Sequence, residues 1–304
     1  MVAALGVGAV AALLALSGGA SSPPPPPTVQ PAVATAFPAP PRGAVVFARE
    51  DRGSVLALAI APRAHGVRLM VSVVGPLGTG TRGLRVMLGA GGGEGSRLQA
   101  ASACGGGCYQ ALLPRTPAAV RVLVRRPARA TVWEVPIPAR WPAPDASALM
   151  RRATRVWTQL RSLRSVERLR SDPAHMIVSH WRFAAPDRVA YELTTGEQAV
   201  IIGHARWDRQ RGGAWTRSSA LRLRQPQPFW RRVIVAHVIG GGHVGTRAVW
   251  RVSFFDPASS AWFEVAIDRR TARSLVVHMW ATAHFMRDTY GQFNAPQEIV
   301  PPAP

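Results

Sequence analysis

The chain has 304 residues, of which 47% are hydrophobic, and a formal net charge of +21 at pH 7. This apolar content excludes uniform disorder, and the length allows two domains with their own cores. All 37 basic residues are arginines, and they are spread along the chain without a basic arm or a nucleic-acid-binding signature. The charge therefore predicts no nucleic-acid partner, although it favours attraction to an anionic membrane surface.

The chain begins with an uninterrupted apolar run over residues 3–16, followed by small and polar residues. This length is typical of the apolar region of a signal peptide and is short of the ~20 residues that span a bilayer. No Arg or Lys precedes the run, which is unusual for a signal peptide. We therefore predict that residues 1–22 are either a signal peptide or the end of a membrane helix. Both alternatives place the rest of the chain outside the cytoplasm, anchored to the cell membrane or secreted.

A proline-rich segment follows the apolar run. Residues 23–42 contain nine prolines among twenty residues. Such a composition favours extended polyproline II structure and disfavours a packed core. We expect a semi-rigid linker between the membrane and the folded part of the chain.

Residues 43–142 show short segments in which apolar and other residues alternate, separated by Gly- and Pro-rich breaks. Val67, Leu69, Val71 and Val73 give one such series. Alternation with period two indicates β-strands with one buried face. Seven short strands in about 100 residues are typical of an immunoglobulin-like β-sandwich.

Residues 143–304 are predicted to form a second domain with one helix and an antiparallel sheet. Asp145 is a suitable N-cap, and apolar residues from Leu149 to Leu163 recur at spacings of three and four, which predicts a helix to about Arg170. Nine strand candidates follow, among them Met176–Ala184, Gln198–Ile202, Ala205–Arg209 and Leu275–His284, with short connections such as Gly240–Gly242. A meander of this kind curls into a half-barrel, against which the helix packs. The predicted fold class is therefore mainly β, a sandwich followed by a half-barrel with one α-helix.

Eight of the ten tryptophans lie in this second region. Aromatic residues at this density suit either a thick core or the lining of an apolar pocket. We expect a ligand pocket between the helix and the concave face of the sheet, lined by Ala153, Trp157, Leu160, Trp250, Trp262 and Trp280.

The two cysteines, Cys104 and Cys108, enclose three glycines. An isolated even pair in an oxidising compartment indicates a disulfide, and the glycines let the chain close a small ring. A metal site would need further ligands, and no histidine lies within thirty residues on either side. We predict a disulfide.

Part of the second region resembles a known group of proteins. The matching elements are Pro186-Asp187-Arg188, Ile202-Gly203 with Trp207, Trp215, and the turn from Asp268 to Thr271. With the sequence around them, they resemble the periplasmic lipoprotein carriers and the mycobacterial-type lipid-binding lipoproteins (LolA/LppX-like) over roughly residues 146–300. The resemblance implies non-catalytic binding of a lipid or acyl chain in a concave apolar pocket.

A second resemblance concerns the closing segment HFMRDTYGQFNAP and the domain order. An immunoglobulin-like domain before this segment is similar to the extracytoplasmic C-terminal region of bacterial copper-resistance (CopD-like) membrane proteins. This resemblance implies copper as a cofactor and a membrane copper-transport protein as a partner. His284 and Met286 share one face of a strand, and imidazole and thioether suit copper. We name His284, Met286 and His278 as candidate metal ligands.

No motif of a serine hydrolase, a zinc protease, a nucleotide-binding loop or a dinucleotide-binding fold occurs in the sequence. We therefore predict that the protein is not an enzyme. The leading hypothesis is a membrane-associated extracytoplasmic binding protein for a lipid or another apolar ligand, without a cofactor. The alternatives are a copper-handling module and an ectodomain that only docks a partner.

Overall fold

The computed structural model describes residues 37–92, 97–171 and 174–303. The predicted leader, residues 1–22, and most of the predicted linker lie outside these residues. Within them the chain forms three antiparallel sheets and one α-helix, which confirms the predicted class of a mainly β fold with a sandwich and a half-barrel. No helix in these ranges is long and apolar enough to cross a membrane.

The first nine strands form two sheets. One sheet has the order β1-β2-β3-β7-β6 and the other β5-β4-β8-β9. Their bounds are β1 Val45–Asp51, β2 Ser54–Pro62, β3 Val67–Val74, β4 Arg85–Ala90, β5 Leu98–Ala100, β6 Ser102–Gly105, β7 Cys108–Leu113, β8 Ala119–Arg126 and β9 Arg129–Pro136. The seven strands expected from the alternation are present, and the short strands β5 and β6 were not predicted.

Strand β2 shows how the layers of the protein are stacked. Leu56, Leu58 and Ile60 point into the core between the two sheets of the sandwich. The residues between them, such as Ala57 and Ala59, belong to a second core on the opposite face. A strand that is covered on both faces has a continuous apolar sequence instead of an alternating one. The five-stranded sheet is therefore an inner layer of the protein.

Strands β6 and β7 are joined by a disulfide between Cys104 and Cys108, whose Cα atoms are 5.0 Å apart. This confirms the predicted pairing. Gly107, at the turn, has a φ of +62°, and a Cβ there would lie 2.5 Å from the Cα of Gly80. Only glycine therefore fits this turn without moving the neighbouring backbone.

We expect the exported protein to contain no free thiol. Labelling the denatured, unreduced protein with a thiol reagent should find no reactive cysteine, and prior reduction should expose two. A disulfide of this kind persists in oxidising compartments and is rare in the cytosol. Two labelled thiols in the unreduced protein would contradict both the disulfide and the predicted compartment.

The remaining strands form an eleven-stranded sheet, ordered β15-β14-β13-β12-β11-β10-β20-β19-β18-β17-β16. Its strands are β10 Ser162–Arg170, β11 Met176–Ala184, β12 Arg188–Leu193, β13 Gln198–Ile202, β14 Ala205–Arg209, β15 Thr216–Ser219, β16 Ile234–Val244, β17 Arg247–Asp256, β18 Ala261–Asp268, β19 Ser274–Ala281 and β20 His284–Gly291. Because β10 pairs with β20, the first and last strands of this region meet in the middle of the sheet.

The helix α1 covers Ser147–Thr158, so the prediction of a helix to about Arg170 was wrong. Residues 162–170 form strand β10 instead. The apolar stripe continues by coincidence, because Leu163 and Leu169 also lie on one face of a strand whose buried residues alternate. The sequence fits both a helical and a strand period here, and pairing of β10 with β11 and β20 selects the strand.

Two turns differ from the predicted ones. A single strand was expected from Leu275 to His284, whereas the chain turns at residues 282–283 and returns as β20. Gly240–Gly242 were expected to form a turn, but they lie within β16, where the register shifts against β17. The turn itself comes later, at Gly245, which has a φ of +56°.

The outer face of the large sheet packs on the five-stranded sheet. Phe37, inside the predicted linker, is buried there and stacks on Trp262 with ring centroids 5.3 Å apart. Phe255 and Phe285 of the large sheet belong to the same core as Val46 of β1. The inner face carries α1 and the largest core. The large sheet is thus covered on both faces along β17–β20, and its other wing, β10–β15, holds the candidate site.

Candidate functional site

A cavity of about 130 Å³ lies on the inner face of the wing formed by β11–β14. Cross-strand pairing places its wall residues side by side, because Phe183 pairs with Val189 and Val189 with Ile201. Trp181 pairs with Tyr191 two residues further along the same strands, on the same face. Trp157 of α1 closes the cavity at one end. The wall is therefore mainly aromatic and aliphatic.

The aromatic residues contact one another around the cavity. The Trp181 ring lies 5.8 Å from Phe183 and 4.5 Å from Tyr191, measured between centroids. Trp157 meets Tyr290 edge-on at 4.9 Å and donates a hydrogen bond from Nε1 to Ser274 at 3.2 Å. Rigid rings that are held by each other and by a hydrogen bond keep a space open that flexible side chains would fill.

The side of the cavity that faces away from the sheet is covered by residues 220–230, which we call the covering segment. Leu221, Leu223 and Phe229 line the cavity from this segment. No helix or strand lies in the segment. Leu221 is 56% exposed, so the apolar surface of the cavity continues to the outside of the protein.

The covering segment is held at few points. The Ala220 N–H donates to His204 O at one end, and the Trp230 indole donates to Thr154 Oγ1 at 3.0 Å at the other. Between these ends, the Gln225 N–H donates to Pro186 O at 2.8 Å, and Arg224 donates to Thr158 O at 3.2 Å. Arg222, which is more than half exposed, forms an ion pair with Asp187 at 2.6 Å. Exposed ion pairs stabilise a structure by about 1 kcal/mol or less. Residues 221–223 can therefore move away from the sheet more easily than Gln225, which is buried and hydrogen-bonded.

The base of the cavity is polar, because two carboxyl groups face each other across β10 and β20. Glu167 and Asp288 are directly paired residues, and each is 1% exposed. Oε2 of Glu167 accepts hydrogen bonds from Ser179 and Trp181, both at 2.9 Å. Among the described residues, Oε1 of Glu167, Oδ1 of Asp288 and the Tyr290 hydroxyl form no well-aligned hydrogen bond, although the hydroxyls of Ser165 and Tyr290 lie close enough to the Asp288 carboxyl group to lower its pKa. Asp288 and Tyr290 line the cavity.

Burial controls the ionisation of this base. It raises the pKa of Asp288 to about 8, and the nearby charge of Glu167 adds to the effect. Burial also raises the pKa of Glu167, although hydrogen bonds from Ser179 and Trp181 oppose the shift. The pKa of Tyr290 lies well above its ordinary value for the same reason. Two adjacent buried carboxyls titrate as a pair, and one of them holds a proton near neutral pH.

The other charged groups of the cavity are paired within the protein. Arg206 donates to Asp208 at 2.6 and 2.5 Å and to the Tyr191 hydroxyl at 3.1 Å. Asp187 accepts from Arg222 in the covering segment. Among the described residues, no arginine forms an ion pair with Glu167 or Asp288. The base of the cavity therefore carries acidic groups without a positive partner.

The residues predicted to line a pocket are divided between several places. Trp157 lines the cavity, and Ala153 and Leu160 are buried in the core beside it. Trp262 and Trp280 lie on the outer face, against the sandwich. Trp250 is 38% exposed and lies under the guanidinium of Arg269, 3.8 Å from its ring centroid.

Of the candidate metal ligands, His284 and Met286 lie two residues apart on β20 and share one face, whereas His278 lies on the opposite face. His278 pairs with Arg287 across the β19–β20 hairpin, whereas Met286 pairs with Met279, so the two lie on opposite faces. Met286 is part of the core around α1. His284 is buried, and burial lowers the pKa of its imidazole to about 4.

His278 borders a shallow depression together with His243 and Glu264. Arg251 holds the Glu264 carboxylate at 2.8 Å. In the part of the chain that the structure describes, no three His, Cys, Asp or Glu side chains are placed to hold one metal ion. No geometric observation favours the copper hypothesis.

Sequence reasoning missed most of the cavity. Trp181 and Phe183 lie two residues apart on β11, a strand that was predicted with the correct bounds. The sequence therefore indicated that they share one face. Asp288 and Tyr290 alternate in the same way, but β20 was not separated from the strand before it. Their position opposite Glu167 depends on the pairing of β10 with β20, which no local pattern indicates.

No family model matches the chain, and no curated protein matches it. Among solved structures it is similar to LprF from Mycobacterium bovis, with a TM-score of 0.41 and 11% identity over 53% of this chain and all of that one. The Mycobacterium tuberculosis lipoprotein LppX gives 0.39 and 11% over 50% and 97%. A LolA superfamily protein from Nitrosomonas europaea gives 0.25 and 7% over 51% and 96%. All three scores lie below 0.5.

Proposed function

We propose that the protein is a non-enzymatic, extracytoplasmic binding protein that holds an apolar ligand in the cavity between β11–β14 and the covering segment. The observation that carries this proposal is the apolar, aromatic wall of a cavity that continues to exposed Leu221. Concave apolar sites with a few polar groups are the usual form of small-molecule sites.

The closed cavity sets the size of what binds without rearrangement. A dry engineered cavity of about 150 Å³ accommodates benzene, so about 130 Å³ suits a single ring or a short chain. A lipid acyl chain needs more space, and residues 221–223 at the start of the covering segment, where Leu221 is exposed, are where that space would arise. We therefore propose that small apolar molecules bind directly and long chains bind after this segment moves.

An envelope location is part of the same proposal. The apolar run over residues 3–16 and the disulfide between Cys104 and Cys108 support it. The run would either anchor the protein to the membrane or be removed on export.

Filling the cavity should abolish binding. Val189 is 7% exposed and lies in the cavity wall, so Val189→Trp places an indole in the ligand space. We expect calorimetric titration with toluene, and with alcohols of increasing chain length, to show binding to the unchanged protein. The emission of Trp157 and Trp181 should change at the same time. The variant should bind at least tenfold more weakly.

The matched control is Val200→Trp. Val200 is 9% exposed and belongs to a small core with Ala190 and Ile299 that is separate from the cavity wall. This substitution should lower the free energy of unfolding about as much as Val189→Trp does, but the variant should keep its affinity for toluene. If the unchanged protein binds neither toluene nor any alcohol of the series, the proposed function is wrong.

A further inference from the structure

The two carboxyl groups at the base of the cavity are unusual in a chain so rich in arginine. The protein has 37 basic residues and 16 acidic ones. Three other acidic residues of the large sheet form ion pairs with arginines, namely Asp208, Glu264 and Asp268. Glu167 and Asp288 have none among the described residues, although they lie side by side. A buried carboxylate without a positive partner is costly, so this arrangement leaves a place for a cation from outside.

We propose that the ligand carries a basic nitrogen, and that this nitrogen binds the carboxyl group of Asp288 at the base of the cavity. The inference rests on the proposed function, because it concerns the same cavity. It specifies the ligand class as an apolar amine, with a ring or short chain in the aromatic part of the cavity and an ammonium group at the base.

Three features of the base fit an ammonium group. Asp288 lines the cavity, is 1% exposed, and has no arginine partner among the described residues. Its nearest polar neighbours are the hydroxyls of Ser165 and Tyr290, and the Tyr290 hydroxyl is a second oxygen in the lining. An ammonium group donates up to three hydrogen bonds and accepts none, which matches a site made only of oxygen atoms with free acceptor capacity. Trp181 and Tyr191 add ring faces that attract a cation.

The ionisation of the pair is consistent with this assignment. Burial and the neighbouring Glu167 raise the pKa of Asp288 to about 8, so the carboxylate form lacks a counter-charge in the empty cavity. A bound ammonium supplies this charge. An anion would be repelled by the carboxyl groups at the base. Arg206, the basic residue in the lining, would not compensate for this, because Asp208 already neutralises it. The cavity should therefore reject a carboxylate of the same size.

The test compares three probes of nearly equal shape: benzylamine, toluene and benzoate. At pH 8 we expect benzylamine to bind the full-length protein at least tenfold more tightly than toluene, and benzoate to bind at least tenfold more weakly than toluene. This order is measured on the unchanged protein by calorimetry or by Trp emission. It does not depend on whether any variant folds.

The variant Asp288→Asn locates the effect. It should bind benzylamine and toluene with affinities within about threefold of each other, because an amide offers the ammonium group no negative charge. The matched control is Glu264→Gln, which removes a carboxyl group of the same sheet outside the cavity and should retain the preference for the amine.

The outcomes separate the two proposals. Toluene binding without a preference for benzylamine would overturn the amine assignment and leave the proposed function intact. A preference for benzylamine that survives Asp288→Asn would overturn the role of Asp288. Absence of binding by all three probes contradicts the proposed function itself.

Discussion

Replacing Trp157 by alanine should lower the free energy of unfolding by about 3–5 kcal/mol. Trp157 is 3% exposed and joins α1 to the large sheet. Its ring meets Trp230 and Tyr290 edge-on, and its Nε1 donates to Ser274. The substitution removes a large buried ring, leaves a void beside the cavity, and leaves the Ser274 hydroxyl without this partner.

Chemical denaturation measured by circular dichroism checks this value. The conservative variant Trp157→Phe keeps a ring but loses the hydrogen bond to Ser274, so it should lose less than half as much stability. Because Trp157 also lines the cavity, Trp157→Ala should make the cavity larger. Added indole should then bind in the enlarged space and restore part of the loss, since a ligand that binds only the folded state stabilises it. A loss below about 1.5 kcal/mol would mean that α1 is not held by this residue.

The sequence contained enough information for the strands but not for their arrangement. Alternation located β11, β13 and β14 with their observed bounds, because each strand keeps one face buried and is bounded by turn residues. The same pattern placed the strands of the sandwich to within a few residues. It failed at β10, where a helical and a strand period coincide, and at the turn between β19 and β20, which has no Gly or Pro.

The candidate site was largely beyond local patterns for a physical reason. Trp262, Trp280 and Trp157 are equivalent as sequence signals, since each is an aromatic residue on a predicted element. Whether such a ring faces the cavity or the sandwich depends on which face of the large sheet packs on the five-stranded sheet. That choice is made by contacts such as Phe37 on Trp262, between residues more than 200 positions apart in the chain.

The carboxyl pair illustrates the same limit. Glu167 and Asp288 are ordinary charged residues in the sequence and would be expected on the surface. They become a buried pair only because β10 and β20, the first and last strands of the large sheet in chain order, are neighbours. Sequence reasoning that treats the wing β10–β15 and the strands β16–β20 as one continuous meander does not bring these two residues together.

The stability of the protein should depend on pH through two groups of strand β20 with opposite signs. Asp288 has an ordinary pKa of 3.8 that burial and Glu167 raise to about 8. Between these values the folded protein retains a proton that the unfolded chain has released, so raising the pH favours unfolding. The contribution over this range is of the order of 5 kcal/mol. The variant Asp288→Asn lacks this titrating group. Its stability relative to the unchanged protein should therefore increase as the pH rises from 4 to 8.

His284 acts in the other direction and in a narrower window. Burial lowers its pKa from 6.5 to about 4, so below pH 6.5 the unfolded chain binds a proton that the folded protein does not. Stability is therefore lost as the pH falls from 6.5 to 4, by about 3 kcal/mol in total. The stability of His284→Gln relative to the unchanged protein should therefore increase as the pH falls from 6.5 to 4, and should stay constant above pH 6.5. Denaturation curves of both variants and the unchanged protein at half-unit pH steps measure the two differences. A stability difference for Asp288→Asn that stays constant from pH 4 to 8 would show that Asp288 is not held protonated in the fold, and that the base of the cavity is open to water.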